Sequence, residues 1–112
     1  MGDNGERRRS KRTDAGLPVE LPGGVPARAL NMSAKGAYCV VDHEIPAFTK
    51  LDLVIHVPVR PSEPPITVAC SGVVVRYDLV TDEAGREQHC TAIYFEWTSS
   101  RARQVLEAFV GQ

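Results

Sequence analysis

Apolar and polar residues alternate with a period of two along most of the chain, and a helical period appears only at its end. Leu51, Leu53, Ile55 and Val57 alternate with Asp52, Val54, His56 and Pro58, the pattern of a strand with one buried face. Thr91, Ile93, Phe95 and Trp97 share one face of another long strand. Between these, Ile66, Val68 and Cys70 make an even-numbered apolar face, and Val73, Val75 and Tyr77 an odd-numbered one. The change of parity at Ser71-Gly72 predicts a β-bulge there, a device that bends strands as barrels require. Val25 to Leu30 and Ala37 to Val41 read as two further strands. Asn31-Met32-Ser33-Ala34-Lys35-Gly36 separates them, and its Asn, Ser and Gly predict a loop. Leu17 to Gly24 is punctuated by proline and glycine, so it reads as an extended piece followed by a turn. Pro58 to Pro65, with four prolines, predicts a loop, and Asp82 to Gly85 a turn.

At the end of the chain Ala102, Val105, Leu106, Phe109 and Val110 form an apolar stripe at helical spacing, predicting a helix over about 99–110. Thr98, Ser99 and Ser100 offer N-caps, and Gly111 a terminator. A helix of two to three turns is not stable alone, so its stripe must pack on the sheet or on a partner. Five or six short antiparallel strands and one helix place the chain in the all-β class, as a small barrel or curled sheet and not a βαβ fold.

Composition narrows this only when it is divided. The 112 residues fit one domain; at 43% hydrophobic the chain is too apolar for disorder, and it has no apolar run long enough to span a membrane. The net charge of −1 points to no partner. The first 14 residues, however, carry five basic and three acidic side chains, while the rest carry eight and eleven. A flexible basic arm over residues 1–14 is thus joined to a mildly acidic domain over 15–112, and such an arm either meets an anionic partner or is a solvated tail. The N-terminus has no apolar core of a secretory signal. Cys39, Cys70 and Cys90 are odd in number and sit in apolar runs, which suits buried thiols in a reducing cytoplasm.

Signatures of catalysis are missing: no phosphate loop, no GxGxxG, no HExxH and no GxSxG. His43, His56 and His89 are scattered, and His89-Cys90 would point to opposite faces of a strand, so no metal site is expected. Asp42 and Glu44 read as surface charge. An enzyme is not expected.

Two segments carry a functional reading. Arg8 and Arg12 stand four apart in the arm, and Asn31-x-Ser33-x-x-Gly36 follows at the edge of the barrel. Together they resemble the RxxxR and [DN]xSxxG signature of the PilZ domain, found in bacterial receptors for cyclic di-GMP. Either motif alone is weak; both, in this order on an all-β chain of this length, are specific. The resemblance covers essentially the whole chain and implies a six-stranded antiparallel barrel with a helix after the last strand. Val73-Val74-Val75-Arg76 and Ala92-Ile93-Tyr94-Phe95 resemble the family's two long core strands, with Ala92 where many members have glycine.

The chemistry is consistent. Cyclic di-GMP is a dianion with two guanines, and an arginine fork pairs with phosphate oxygens or with guanine O6 and N7. Its flat face also stacks on a purine, adding about 0.5–2 kcal/mol per contact. The resemblance assigns this to Arg8 and Arg12. Asn31 and Ser33, two apart on an extended segment, would converge on one guanine, and Gly36 would turn the backbone at positive φ. Arg7 precedes the RxxxR unit, and arginine there resembles members that bind an intercalated pair of cyclic di-GMP molecules, which implies two ligands per chain. No other cofactor is implied, and with arm, barrel and helix filling the chain, the response is expected to lie in a separate effector protein.

Two other classes compete. A small barrel that binds nucleic acid needs exposed aromatic platforms and a basic groove. Here aromatic residues are 6% of the chain and the domain outside the arm is net acidic, so nucleic acid is a poor partner. A ligand-independent adaptor would use the stripe of the helix, although Val105, Leu106 and Phe109 suit core packing better.

Overall fold

A computed structural model describes residues 16–110. Six strands close into an antiparallel barrel: β1 (Leu17–Leu21), β2 (Val25–Met32), β3 (Gly36–Val41), β4 (Lys50–Val57), β5 (Ile66–Thr81) and β6 (Glu87–Glu96). Around the barrel they run β1-β2-β3-β6-β5-β4, and β1 closes it by pairing with β4 at Val19↔Ile55 and Glu20↔Val54. Helix α1 spans Ser100–Val110, in agreement with the expected stripe. No helix among the described residues is long and apolar enough to cross a membrane.

The alternation read from the sequence places the core. Leu53, Ile55 and Val57 of β4 and Ile93 and Phe95 of β6 point inward, joined by Val19, Met32, Cys39 and Val68. Cys39, Cys70 and Cys90 are all buried and free. Leu106 of α1 is fully buried within the same cluster, and burying such a side chain is worth about 1.5–3 kcal/mol. The Ser99 hydroxyl accepts from the Ala102 N–H at 3.1 Å and caps the helix.

The extended piece read over Leu17 to Gly24 is a strand, Leu17–Leu21, with alternate residues buried, followed by a turn at Pro22–Gly24. Pro18 is tolerated because it falls where β1 pairs with β2 alone, so one side of the strand needs no donor there. The loop expected over Asn31–Gly36 shrinks to residues 33–35, since Asn31 and Met32 end β2 and Gly36 begins β3.

A further correction concerns the bulge in β5. Burial continues on the even face from Val68 and Cys70 through Gly72 to Val74, and the register against β6 slips between Val74 and Arg76. Gly72 keeps the pairing regular because its missing side chain makes room: a Cβ there would meet Ile93 Cγ2 at 2.5 Å. Val75 is the extra residue, and it turns outward. A second register shift lies in β2 between Ala29 and Asn31.

Candidate functional site

The two bulges determine what the outer wall of the barrel presents. In β2, Ala29 points inward, and a regular strand would send Asn31 inward too. The shift at Leu30 restores Met32 to the core and leaves Asn31 on the outside. In β5, Val74 is buried and Arg76 would follow it; the shift at Val75 sends Arg76 out instead, its side chain 63% exposed. Thr91, fully buried, donates its hydroxyl proton to the Arg76 carbonyl at 3.2 Å and pins that bulge.

The registers then align one row across four strands: Asn31↔Tyr38, Tyr38↔Ala92 and Ala92↔Arg76. An open cleft of about 580 Å³ lies over this row, lined by Asn31, Ser33, Lys35, Tyr38, Arg76 and Tyr94 among others. Ala92, in the middle, keeps the floor low with its methyl side chain.

At the β2–β3 end the turn is fixed from several sides. The Ser33 N–H donates to the Gly36 carbonyl at 2.9 Å, and the Lys35 N–H donates to Ser33 Oγ at 3.1 Å. The Phe95 N–H donates to the Lys35 carbonyl at 2.8 Å, and Trp97 Nε1 donates to the Ala34 carbonyl at 2.7 Å. Phe95 and Trp97 also pack edge to face, with centroids 5.6 Å apart. Gly36 is not in the left-handed region expected of it. Its requirement is space, since a Cβ there would lie 2.3 Å from the Ile93 carbonyl oxygen.

At the β5–β6 end, Arg76 Nε donates to Asp78 Oδ2 at 3.0 Å, and the Tyr38 hydroxyl donates to the same oxygen at 2.9 Å. The Arg76 guanidinium carbon stands 5.5 Å from the centroid of the Tyr38 ring. Burial, aided by the bond to Asp78, pushes the Tyr38 hydroxyl up to about 12, while Asp78 holds Arg76 more firmly protonated. Among the described residues Asp78 engages Nε of Arg76, and a guanidinium fork suits an anion or a guanine edge.

The structure thus brings together Asn31, Ser33 and Gly36, and adds Tyr38, Arg76, Asp78 and Tyr94, to which the sequence had given no role in the site. Only the register places Arg76, Asp78 and Tyr94 beside the motif, so no local spacing announces them. Arg7, Arg8 and Arg12 lie outside the described residues. A larger groove of about 1030 Å³ runs between the proline-rich loop and α1, lined by Pro58, Val59, Pro61, Ile66, Val105 and Phe109 among others. Among the described residues its Arg60 is paired with Glu63 at 3.3 Å and its His56 with Glu20 at 3.1 Å.

Comparison with known proteins agrees with this architecture. The chain is similar to the Bacillus subtilis inhibitor of motility (MotI/DgrA), with a TM-score of 0.78 and 22% identity over 93% of this chain and 49% of that one. It therefore spans about half the length of that protein. It is also similar to the PilZ domain with c-di-GMP of YcgR from Escherichia coli, with a TM-score of 0.61 and 12% identity over 94% of this chain and 89% of that one. At these identities the likeness is one of fold. No curated protein sequence matches. The PilZ domain model matches residues 6–112. PilZ domains are binding modules and not enzymes. With nearly its whole length matched, this chain belongs to the PilZ domain family.

Proposed function

We propose that this chain is a receptor for cyclic di-GMP that holds the ligand against the outer wall of its barrel. The observation that carries the reading is the row Asn31–Tyr38–Ala92–Arg76 beneath an open cleft, in a PilZ domain. The Asn31 amide oxygen suits guanine N1–H and N2–H₂. The Ser33 oxygen accepts from its own turn and keeps a proton to donate to the ligand. Arg76 offers its guanidinium fork to a ring phosphate or to O6 and N7 of a guanine. Arg8 and Arg12 close over the ligand from the arm, and Arg7 favours an intercalated pair of ligands. The YcgR domain to which the fold is similar was solved with c-di-GMP, which supports the same ligand here.

Binding brings the arm over the wall and presents a new surface to a separate effector protein. Three buried, unpaired thiols fit a reducing compartment, and we assign the protein to the cytoplasm on that ground.

Isothermal titration of the whole chain with cyclic di-GMP, with GTP as control, tests the reading. Saturable binding of two ligands per chain, and none of GTP, is expected. One ligand per chain would remove the pair and keep the receptor. Oligonucleotide binding that falls steeply with salt, without dinucleotide binding, would replace the receptor with a nucleic-acid-binding barrel.

A further inference from the structure

The apolar side of the cleft has no part in the hydrogen bonding described above. Tyr94 and Val75 both line the cleft and are 54% and 50% exposed. Phe48, outside the lining of the cleft, is 81% exposed and among the described residues is the non-glycine residue with positive φ, at 71°. A main-chain clamp holds it there. The Phe48 N–H donates to the Val74 carbonyl at 2.6 Å, and the Val74 N–H donates to the Thr49 carbonyl at 2.9 Å. The Thr49 hydroxyl donates to the Pro46 carbonyl at 2.6 Å and closes the turn. The clamp grips β5 at Val74, immediately before the bulge at Val75. A bulky side chain in the left-handed region is strained, and a phenyl ring in water gains nothing from burial. Neither feature stabilises the barrel by itself.

We propose that Tyr94, Val75 and Phe48 form a stacking shelf for the face of a purine, next to the polar row that reads base edges and phosphate. This inference rests on the reading of the cleft as the cyclic di-GMP site. One guanine is read at its edge by Asn31, and another lies face-down on the shelf. The cleft is continuous from Asn31 to Tyr94 and Val75, so the occupant of one end reaches the other. Every purine has a π-face whatever its edge carries, so the shelf adds affinity without choosing among purines.

Titration of the whole chain separates the two roles. Tyr94→Ala should weaken cyclic di-GMP binding roughly five- to a hundredfold, the range of one base–aromatic stack. Tyr94→Phe should bind like the parent. The loss from Tyr94→Ala should be the same for cyclic di-IMP, which keeps the purine face and lacks the 2-amino group. Phe48→Gly removes the ring and relieves the strained φ, so it should weaken binding while the urea midpoint stays level or rises. A purely structural role for Phe48 cannot produce that combination. Parent-like binding by both Tyr94→Ala and Phe48→Gly would overturn the shelf and leave the receptor reading standing. A parent protein that binds neither dinucleotide would overturn both.

Discussion

The two ends of the cleft are built in different ways. At the β2–β3 end, Asn31 and Ser33 are short, neutral side chains on a turn closed by its own hydroxyl and fastened by Phe95 and Trp97. At the β5–β6 end, Arg76 and Tyr94 are long and exposed, and Arg76 is oriented by a bulge and by Asp78. A rigid, uncharged end suits recognition of a base edge, where geometry decides. A charged end with stacking surface suits phosphate and purine faces, where affinity is gained with little selectivity. On the proposed reading, one wall would carry specificity on one side and affinity on the other.

The largest effect should come from the arm arginines proposed to close over the ligand. Arg12→Ala should abolish cyclic di-GMP binding in a titration while the urea midpoint is unchanged; binding equal to the parent would detach the arm from the site. Next comes Gly36→Ala. Its Cβ would meet backbone at 2.3 Å, so over-packing should cost about 1–3 kcal/mol of stability, read by urea denaturation. If it lost binding while keeping full stability, Gly36 would belong to the ligand and not to the β3–β6 contact.

The two ends themselves are compared by Asn31→Ala and Arg76→Ala. Each should weaken cyclic di-GMP binding by about 1–3 kcal/mol. Only Asn31→Ala should narrow the preference for cyclic di-GMP over cyclic di-AMP, and only Arg76→Ala should flatten the salt dependence of binding. Reversed signatures would exchange the roles of the two ends.

The smallest effect is alkaline. Burial pushes the Cys39 thiol and the Tyr38 hydroxyl each up to about 12, above their unfolded values of 9.0 and 10.0. The folded state thus holds these protons more tightly. That stability is fully present below the unfolded values and is lost as pH rises towards about 12. Urea midpoints at about pH 8 and about pH 11 should differ less in Tyr38→Phe than in the parent.

What the sequence disclosed follows from the range of the interactions involved. The core faces of β4 and β6 and the stripe of α1 were legible because alternation and helical spacing are local. Asn31, Ser33 and Gly36 were legible as a motif for the same reason, although the need for Gly36 arises from Ile93, far along the chain. The bulge in β5 was misplaced because Gly72 looks like a break, whereas it fits beneath Ile93 and Leu53, and Val73-Val74-Val75 carries no parity of its own. Arg76, Asp78 and Tyr94 went unassigned because only the β3–β6–β5 register sets them beside Asn31. Phe48 was silent, since its exposure and its φ are properties of the folded turn.

Amide shift mapping of the whole chain titrated with cyclic di-GMP decides whether the ligand lies on this wall. The large shifts should fall on Asn31 to Gly36, Arg76, Ala92 and Tyr94, across the row of four strands. Shifts gathered instead on Val57 to Ile66 and Val105 to Phe109, the larger groove beside α1, would contradict it.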